Sequence, residues 1–228
     1  AFPYQMLLYQ LLQQPFQPGF ADISSNVPLL IGTTFNELQR LNYNRNITLE
    51  QARTELQRTF ADETDAYIDA FAEAYPDYTP QDLLSIDWLF RPKTIITADY
   101  VAKSRKAKTY TYMFTWRSPI NKGSVHGNEL NFCFNTLERA GNELPQPTEQ
   151  DYELADIMSS VWAQFAKTGN PNIKELPKWK AYTAKNGEMM IFDYNCEIRN
   201  NPDRKLEEII DRHCFKQLDE FRKKQAGK

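Results

Sequence analysis

Only two imidazoles occur in the 228 residues, at positions 126 and 213. Histidine ionises near neutral pH, so a positioned imidazole can take a proton in one step and return it in the next. His126 lies in Asn121-Lys122-Gly123-Ser124-Val125-His126-Gly127, a loop whose glycines allow tight turning, just after a strand-like segment. Loops beyond the carboxyl ends of strands are where α/β folds build their sites. By position alone, a catalytic His126 and an ordinary loop histidine both stand. His213 sits in Ile209-Ile210-Asp211-Arg212-His213-Cys214, inside a helical stretch with no metal-type or catalytic partner nearby, and reads as a packed or surface histidine. Glu37, in Phe35-Asn36-Glu37, also follows a strand-like run. By itself it reads first as an exposed loop carboxylate and only second as a catalytic acid. The three cysteines, 133, 196 and 214, match no zinc spacing and cannot close a disulfide framework. Cys133, within Phe132-Cys133-Phe134, is expected to be a buried free thiol.

The totals exclude several classes. Lys+Arg 27 against Asp+Glu 30 gives a net charge of −3, without the basic excess that phosphate backbones demand, so nucleic acid is not expected as a partner. The eight glycines form neither a dinucleotide fingerprint nor a P-loop. There is no GxSxG nucleophile elbow: Gly123 and Gly127 are spaced for one, but Val125 stands where the serine would be. No run approaches the ~20 apolar residues of a membrane span. With 14 Phe, 12 Tyr and 4 Trp, the chain can anchor a sizeable core. Ala1-Phe2-Pro3-Tyr4, lacking Met and a basic n-region, is expected to be a chain cut into rather than a signal peptide or a natural start.

The elements that must position these groups follow from periodicity and punctuation. Residues 15–28 hold Pro15, Pro18, Gly19 and Pro28 and read as an irregular lead-in. Leu29–Thr34 reads as a buried strand. A Thr48/Gln51 capping box opens a helix to about Phe60, a second helix runs from about Asp62 to Tyr75, a third from Thr79-Pro80 to about Phe90, and residues 92–108 form a fourth. Tyr110, Tyr112, Phe114 and Trp116 alternate with Thr109, Thr111, Met113 and Thr115, a strand signal. A loop to Gly127 follows. A helix spans Thr148 to Lys167 with Gly169 as its left-handed stop, Glu188–Tyr194 is the last strand, and Pro202 to about Lys224 a final helix. Eight acidic residues between Asp62 and Asp87, followed by a basic stretch from Arg91 to Lys108, are expected to pair as opposed helix faces. Strands alternating with helices imply an α/β fold with a largely parallel sheet.

An acid beyond one strand followed by a histidine beyond the next is the order in which α/β-hydrolases deliver the last two members of their triad. Four segments carry a closer resemblance. Val27-Pro28-Leu29-Leu30-Ile31-Gly32-Thr33-Thr34-Phe35-Asn36-Glu37 is similar to the strand and acid turn of the type-B carboxylesterases, para-nitrobenzyl-esterase-like bacterial enzymes in particular. Val125-His126-Gly127-Asn128-Glu129-Leu130-Asn131-Phe132 resembles their histidine segment. Trp162-Ala163-Gln164-Phe165-Ala166-Lys167-Thr168-Gly169-Asn170-Pro171-Asn172 matches a family signature, and Leu176–Tyr182 with Met190–Asp193 follow in order. The resemblance covers nearly the whole chain but only the C-terminal half of such enzymes.

It implies that residues 1–228 are the C-terminal portion of an α/β-hydrolase sheet with flanking helices, including a helical insert at about 48–108. It implies Glu37 as triad acid and His126 as general base, a small-molecule carboxylic ester as substrate, and no cofactor or metal. The serine and oxyanion loop belong upstream, so the chain alone is expected to be inactive, and to show an exposed sheet edge or apolar patch where it meets the missing N-terminal half or a second copy. Phe35, Leu38 and the helices at 48–90 are expected to help form the substrate pockets. Leu38 and Asn135 stand where the family often has glycine, so the turn after the acid is expected to differ. A non-catalytic cholinesterase-like adhesion or binding domain is the alternative.

Overall fold

The computed structural model describes residues 26–38, 46–104, 106–120 and 122–215. Four strands form one sheet: β1 (Leu29–Thr34), β2 (Thr109–Phe114), β3 (Glu188–Phe192) and β4 (Glu197–Asn200), in spatial order β1-β2-β3-β4. The first two pairings are parallel and the last is antiparallel. Around them lie α1 (Leu49–Phe60), α2 (Thr64–Ala74), α3 (Asp82–Ser85), α4 (Arg91–Ser104), α5 (Leu130–Cys133), α6 (Glu149–Thr168) and α7 (Arg204–Ile210). A π-helical turn over Asp211–Phe215 follows α7.

The period-2 alternation of the strands supplies both faces of the sheet with apolar side chains. Met113, Met189 and Ile191 join Leu56, Phe60, Tyr67, Phe71, Leu206 and Ile209, so α1, α2 and α7 cover one face. Tyr110, Phe114, Met190 and Phe192 meet Leu154, Met158 and Val161 of α6 on the other. Each such buried side chain is worth about 1.5–3 kcal/mol relative to exposure.

Local signals set most boundaries. Thr48 and Gln51 close a reciprocal capping box on α1, and Thr148 and Asp151 do the same for α6. Gly169, at φ 69°, ends α6 in the left-handed conformation that a side chain would oppose.

Several expectations are corrected. The helix expected to reach Phe90 stops at Ser85, because Ile86 turns extended and the Asp87 carboxylate accepts the amides of Leu89, Phe90 and Arg91 and so opens α4 instead. At its other end, Asp82 caps Thr79 rather than the reverse, accepting both the Thr79 amide and hydroxyl. The expected strand over Glu188–Tyr194 ends at Phe192, and β4 follows a short turn. Glu197 and Arg199 give β4 no apolar alternation, which is why the sequence does not announce it. α5, a single turn, follows the expected loop to Gly127. The lead-in through residue 25 and residues 216–224 of the final helix lie outside the described residues.

Among the described residues, the acidic stretch does not pair with the basic one that follows it, apart from Asp87 at the amide of Arg91. Asp65 meets Arg53, Glu73 meets Lys205, Asp82 meets Arg117 and Glu63 meets Arg212. Chain folding, not sequence proximity, chooses these partners. Arg91 instead donates Nε and Nη2 to the two oxygens of Asp203 at 2.6 and 2.8 Å, and the Tyr75 hydroxyl donates to the same carboxylate at 2.6 Å. This pair, 3% exposed on each side, locks the start of α4 to the start of α7.

Candidate active site

β1 and β2 are parallel and in register from Leu29↔Thr109 to Thr34↔Phe114, so both end at the same edge and their following loops emerge side by side. Polar links then tie the two loops together. The Asn36 amide donates to the Ser124 carbonyl at 2.9 Å, and the Ser124 amide donates to Asn36 Oδ1 at 2.8 Å. The His126 amide donates to the Glu37 carbonyl at 2.9 Å, and Glu37 and Val125 form a parallel bridge. Asn36 Nδ2 also donates to the Ser85 carbonyl, tying the acid turn to α3.

Glu37 itself takes the left-handed backbone conformation, φ 41°, so the turn reverses on the acid rather than on the residue after it. This accounts for Leu38 in a position where glycine is frequent. Asn135 is also left-handed, φ 50°, a conformation asparagine tolerates better than most side chains. Thr34 braces the acid twice: its hydroxyl accepts the Glu37 amide at 3.0 Å, and its amide donates to Glu37 Oε1 at 2.7 Å.

With Oε1 held by Thr34, Oε2 lies 2.6 Å from His126 Nδ1. A carboxylate can only accept, so the imidazole donates through Nδ1 and Nε2 is left as an acceptor. The Glu37 side chain is 8% exposed and that of His126 59%, so a buried acid holds a ring that faces outward. Among the described residues no hydroxyl or thiol hydrogen-bonds to Nε2. Behind the ring, Asn128 Oδ1 accepts the Val125 amide and its Nδ2 donates to Glu143, closing the turn at Gly127, φ 83°.

Further side chains adjoin the pair. The Phe90 ring stacks against the imidazole, with centroids 6.0 Å apart and planes within 18°. Glu129, three residues past His126, has its carboxyl pushed above the usual range, mainly by burial and then by the Glu37 charge, and its Oε2 has no hydrogen-bond partner. Leu38, Leu89, Phe90, Leu130 and Phe134 are exposed apolar residues in the segments flanking the pair. Phe35 does not join them: it is buried edge-on against Phe71 and Tyr75. Phe90 had no signal of its own in the sequence, although an Asp three residues before it and four before α4 is a helix-start pattern.

His213 has a partner after all: its Nε2 lies 2.6 Å from Glu63 Oε2, supplied from 150 residues away, with Phe60 edge-on to its ring. Arg212, and then His213, lower the Glu63 carboxyl to about 2. That cluster joins the π-helical turn to the end of α1. Cys133 is a buried free thiol. Among the described residues, no group of three His, Cys, Asp or Glu side chains could hold a metal ion, and no helix is long and apolar enough to cross a membrane. Cavities of about 480 and 810 Å³ lie around Arg117, and neither is lined by Glu37 or His126.

A mostly parallel sheet covered by helices on both faces, with an acid and a histidine meeting on loops beyond adjacent strands, is a partial α/β-hydrolase fold. The sequence profile of the Carboxylesterase family matches residues 11–209. The chain belongs to that family. It is 32% identical over 209 residues to para-nitrobenzyl esterase of Bacillus subtilis (strain 168), covering 85% of this chain and 40% of that protein. Over 127 residues it is 31% identical to carboxylesterase 1E of Rattus norvegicus, covering 51% of this chain and 21% of the relative. Among solved structures, an esterase from Clostridium hathewayi described as hydrolysing aliphatic aromatic polyesters superposes with a TM-score of 0.76 at 28% identity, covering 86% of this chain and 39% of that one. A PNB esterase superposes at 0.60 with 24% identity, covering 83% of this chain and 39% of that one, a likeness of fold. The chain thus spans about 40% of the length of para-nitrobenzyl esterase.

Proposed function

We propose that this chain supplies the acid and the general base of a serine carboxylesterase acting on small carboxylic esters. The observation that supports it is the 2.6 Å contact between His126 Nδ1 and a Glu37 carboxylate whose other oxygen is already committed to Thr34. In this reading Nε2 removes the proton of a serine hydroxyl as its oxygen attacks the ester carbonyl. The same nitrogen then gives that proton to the departing alcohol, and repeats the exchange with water to release the acid. Glu37 holds the tautomer and stabilises the imidazolium while it exists. Both groups are kept in working geometry, which favours an enzyme over a binding domain that retains only the fold.

The nucleophile and the oxyanion donors come from the preceding half of the protein. Among the described residues no strand pairs with the outer side of β1, and that edge, together with the exposed apolar residues flanking the dyad, is where the preceding half docks. The test is hydrolysis of p-nitrophenyl esters. The 228 residues alone should give no turnover, the full-length protein should be active, and His126→Ala in the full-length protein should abolish that activity. Organophosphate-sensitive turnover by the 228 residues, or an active His126→Ala enzyme, would overturn the reading.

A further inference from the structure

We propose that Asp87 is a positioning residue for His126, acting through Phe90: its carboxylate fixes the 89–91 backbone so that the Phe90 ring runs nearly parallel beside the imidazole. The inference rests on the reading of His126 as general base and adds to it a second restraint on the ring. The Glu37 contact restrains the imidazole at Nδ1 alone, and a single hydrogen bond leaves the half-exposed ring room to tilt about the Nδ1···Oε2 line. A second plane alongside removes that freedom.

Asp87 is bound on both sides. Its amide donates to the Phe35 carbonyl at 2.9 Å, two residues ahead of the acid. Its Oδ1 accepts the amides of Leu89 at 2.9 Å and Phe90 at 3.2 Å, and its Oδ2 those of Phe90 at 3.0 Å and Arg91 at 2.7 Å. The residue is 2% exposed, so these amides are the groups that compensate its carboxylate for lost water. On the far side, the Arg91–Asp203 pair anchors the next residue to α7. Phe90 is therefore held from both neighbours while its own side chain remains 38% exposed. The ring it runs alongside is the imidazole of His126, centroid to centroid 6.0 Å.

The experiment is a set of variants in the full-length protein, read as kcat and KM on a p-nitrophenyl ester. Phe90→Leu keeps the apolar bulk and removes the plane; it should lower kcat by about three- to tenfold, the worth of an aromatic contact, with KM changed less. Asp87→Ala should lower kcat by a similar factor. Asp87→Asn should restore part of it, because one amide oxygen still accepts from the backbone and Asn caps nearly as well as Asp. The double variant Asp87→Ala with Phe90→Leu should be no worse than Phe90→Leu alone, within about twofold, since both remove one contact. Multiplying losses, or an Asp87→Ala enzyme equal to the parent, would overturn the proposal. Should Asp87→Ala fail to fold, Asp87→Asn with Phe90→Leu runs the same cycle. The His126 ring-proton NMR shift gives a readout independent of turnover: it should move in Asp87→Ala and Phe90→Leu alike, and an unmoved shift in Asp87→Ala refutes the coupling. Because that shift does not depend on catalysis, the coupling is judged separately even if an active His126→Ala enzyme removes the functional reading.

Discussion

Replacing Glu37 by Gln exchanges one oxygen for an NH2 group of nearly the same size, so the fold has no reason to move. The consequence is set by Thr34. Its amide is at a buried residue and donates to Glu37 Oε1 at 2.7 Å. If the new NH2 faced that N–H, a buried donor would lose its acceptor at a cost of about 1–3 kcal/mol. The carboxamide therefore keeps its oxygen on Thr34 and presents its NH2 to His126 Nδ1, 2.6 Å away in the parent. Nδ1 must then accept, the ring proton moves to Nε2, and the nitrogen that should take the serine proton becomes a donor. The imidazolium also loses its counter-charge. The corresponding acid-to-amide change in serine proteases costs about 10⁴ in kcat through the same tautomer reversal, and a loss of about 10³–10⁴ is expected here, or about 4–5.5 kcal/mol of barrier. The assay is steady-state hydrolysis of a p-nitrophenyl ester by the full-length protein, with a thermal melt to show the fold intact. A loss below about tenfold, or one confined to KM, would mean that Glu37 does not set the tautomer.

Breaking the Arg91–Asp203 pair by Asp203→Asn should cost about 1–3 kcal/mol in a urea melt, because a guanidinium 3% exposed loses its two-pronged partner and keeps only Glu207, 3.6 Å from Nε, as counter-ion; a cost under about 0.5 kcal/mol would show the pair to be dispensable. Glu207 is pulled up to about 8, by burial first and by the Asp203 charge next. The folded state then keeps a proton that the unfolded chain releases near 4.5, so stability should fall as pH rises from about 4.5 through about 8. Glu207→Gln should flatten that part of the pH–stability curve, and an unchanged slope would refute the assignment. Burial pushes the Cys133 thiol to about 12, so iodoacetamide at mildly alkaline pH should leave it unmodified until denaturant is added, whereas rapid native labelling would contradict its burial.

What could be read from the residues beforehand depended on range. Caps such as Thr48/Gln51 and the Gly169 stop act within four residues, so their outcome is written in adjacent letters. The alternation of Tyr110, Tyr112 and Phe114 against Thr109, Thr111 and Met113 announces a strand for the same reason. Glu37 and His126 could be named as candidates from chain order and from a family likeness. Their 2.6 Å approach depends on something no local window contains, the parallel register that ends Thr34 and Phe114 together. The same limit explains the misplaced charge pairs: Glu63 meets Arg212 and His213, and Asp203 meets Arg91, across more than 100 residues. α3 ended early because Asp87 turned its carboxylate forward into α4, a competition between two helix starts that periodicity does not weigh. β4 was missed because a four-residue edge strand with a single apolar residue, Ile198, between Glu197 and Arg199 shows no alternation to read.

The bonds that orient the acid toward the imidazole run between the loops after β1 and β2, with Ser85, Asn128 and Glu143 bracing those loops from nearby segments. On the proposed reading, two of the three catalytic groups therefore reach the serine already paired with each other. Whatever delivers the hydroxyl has a single docking to accomplish rather than three separate alignments, and that docking could be made between covalently separate chains as readily as within one.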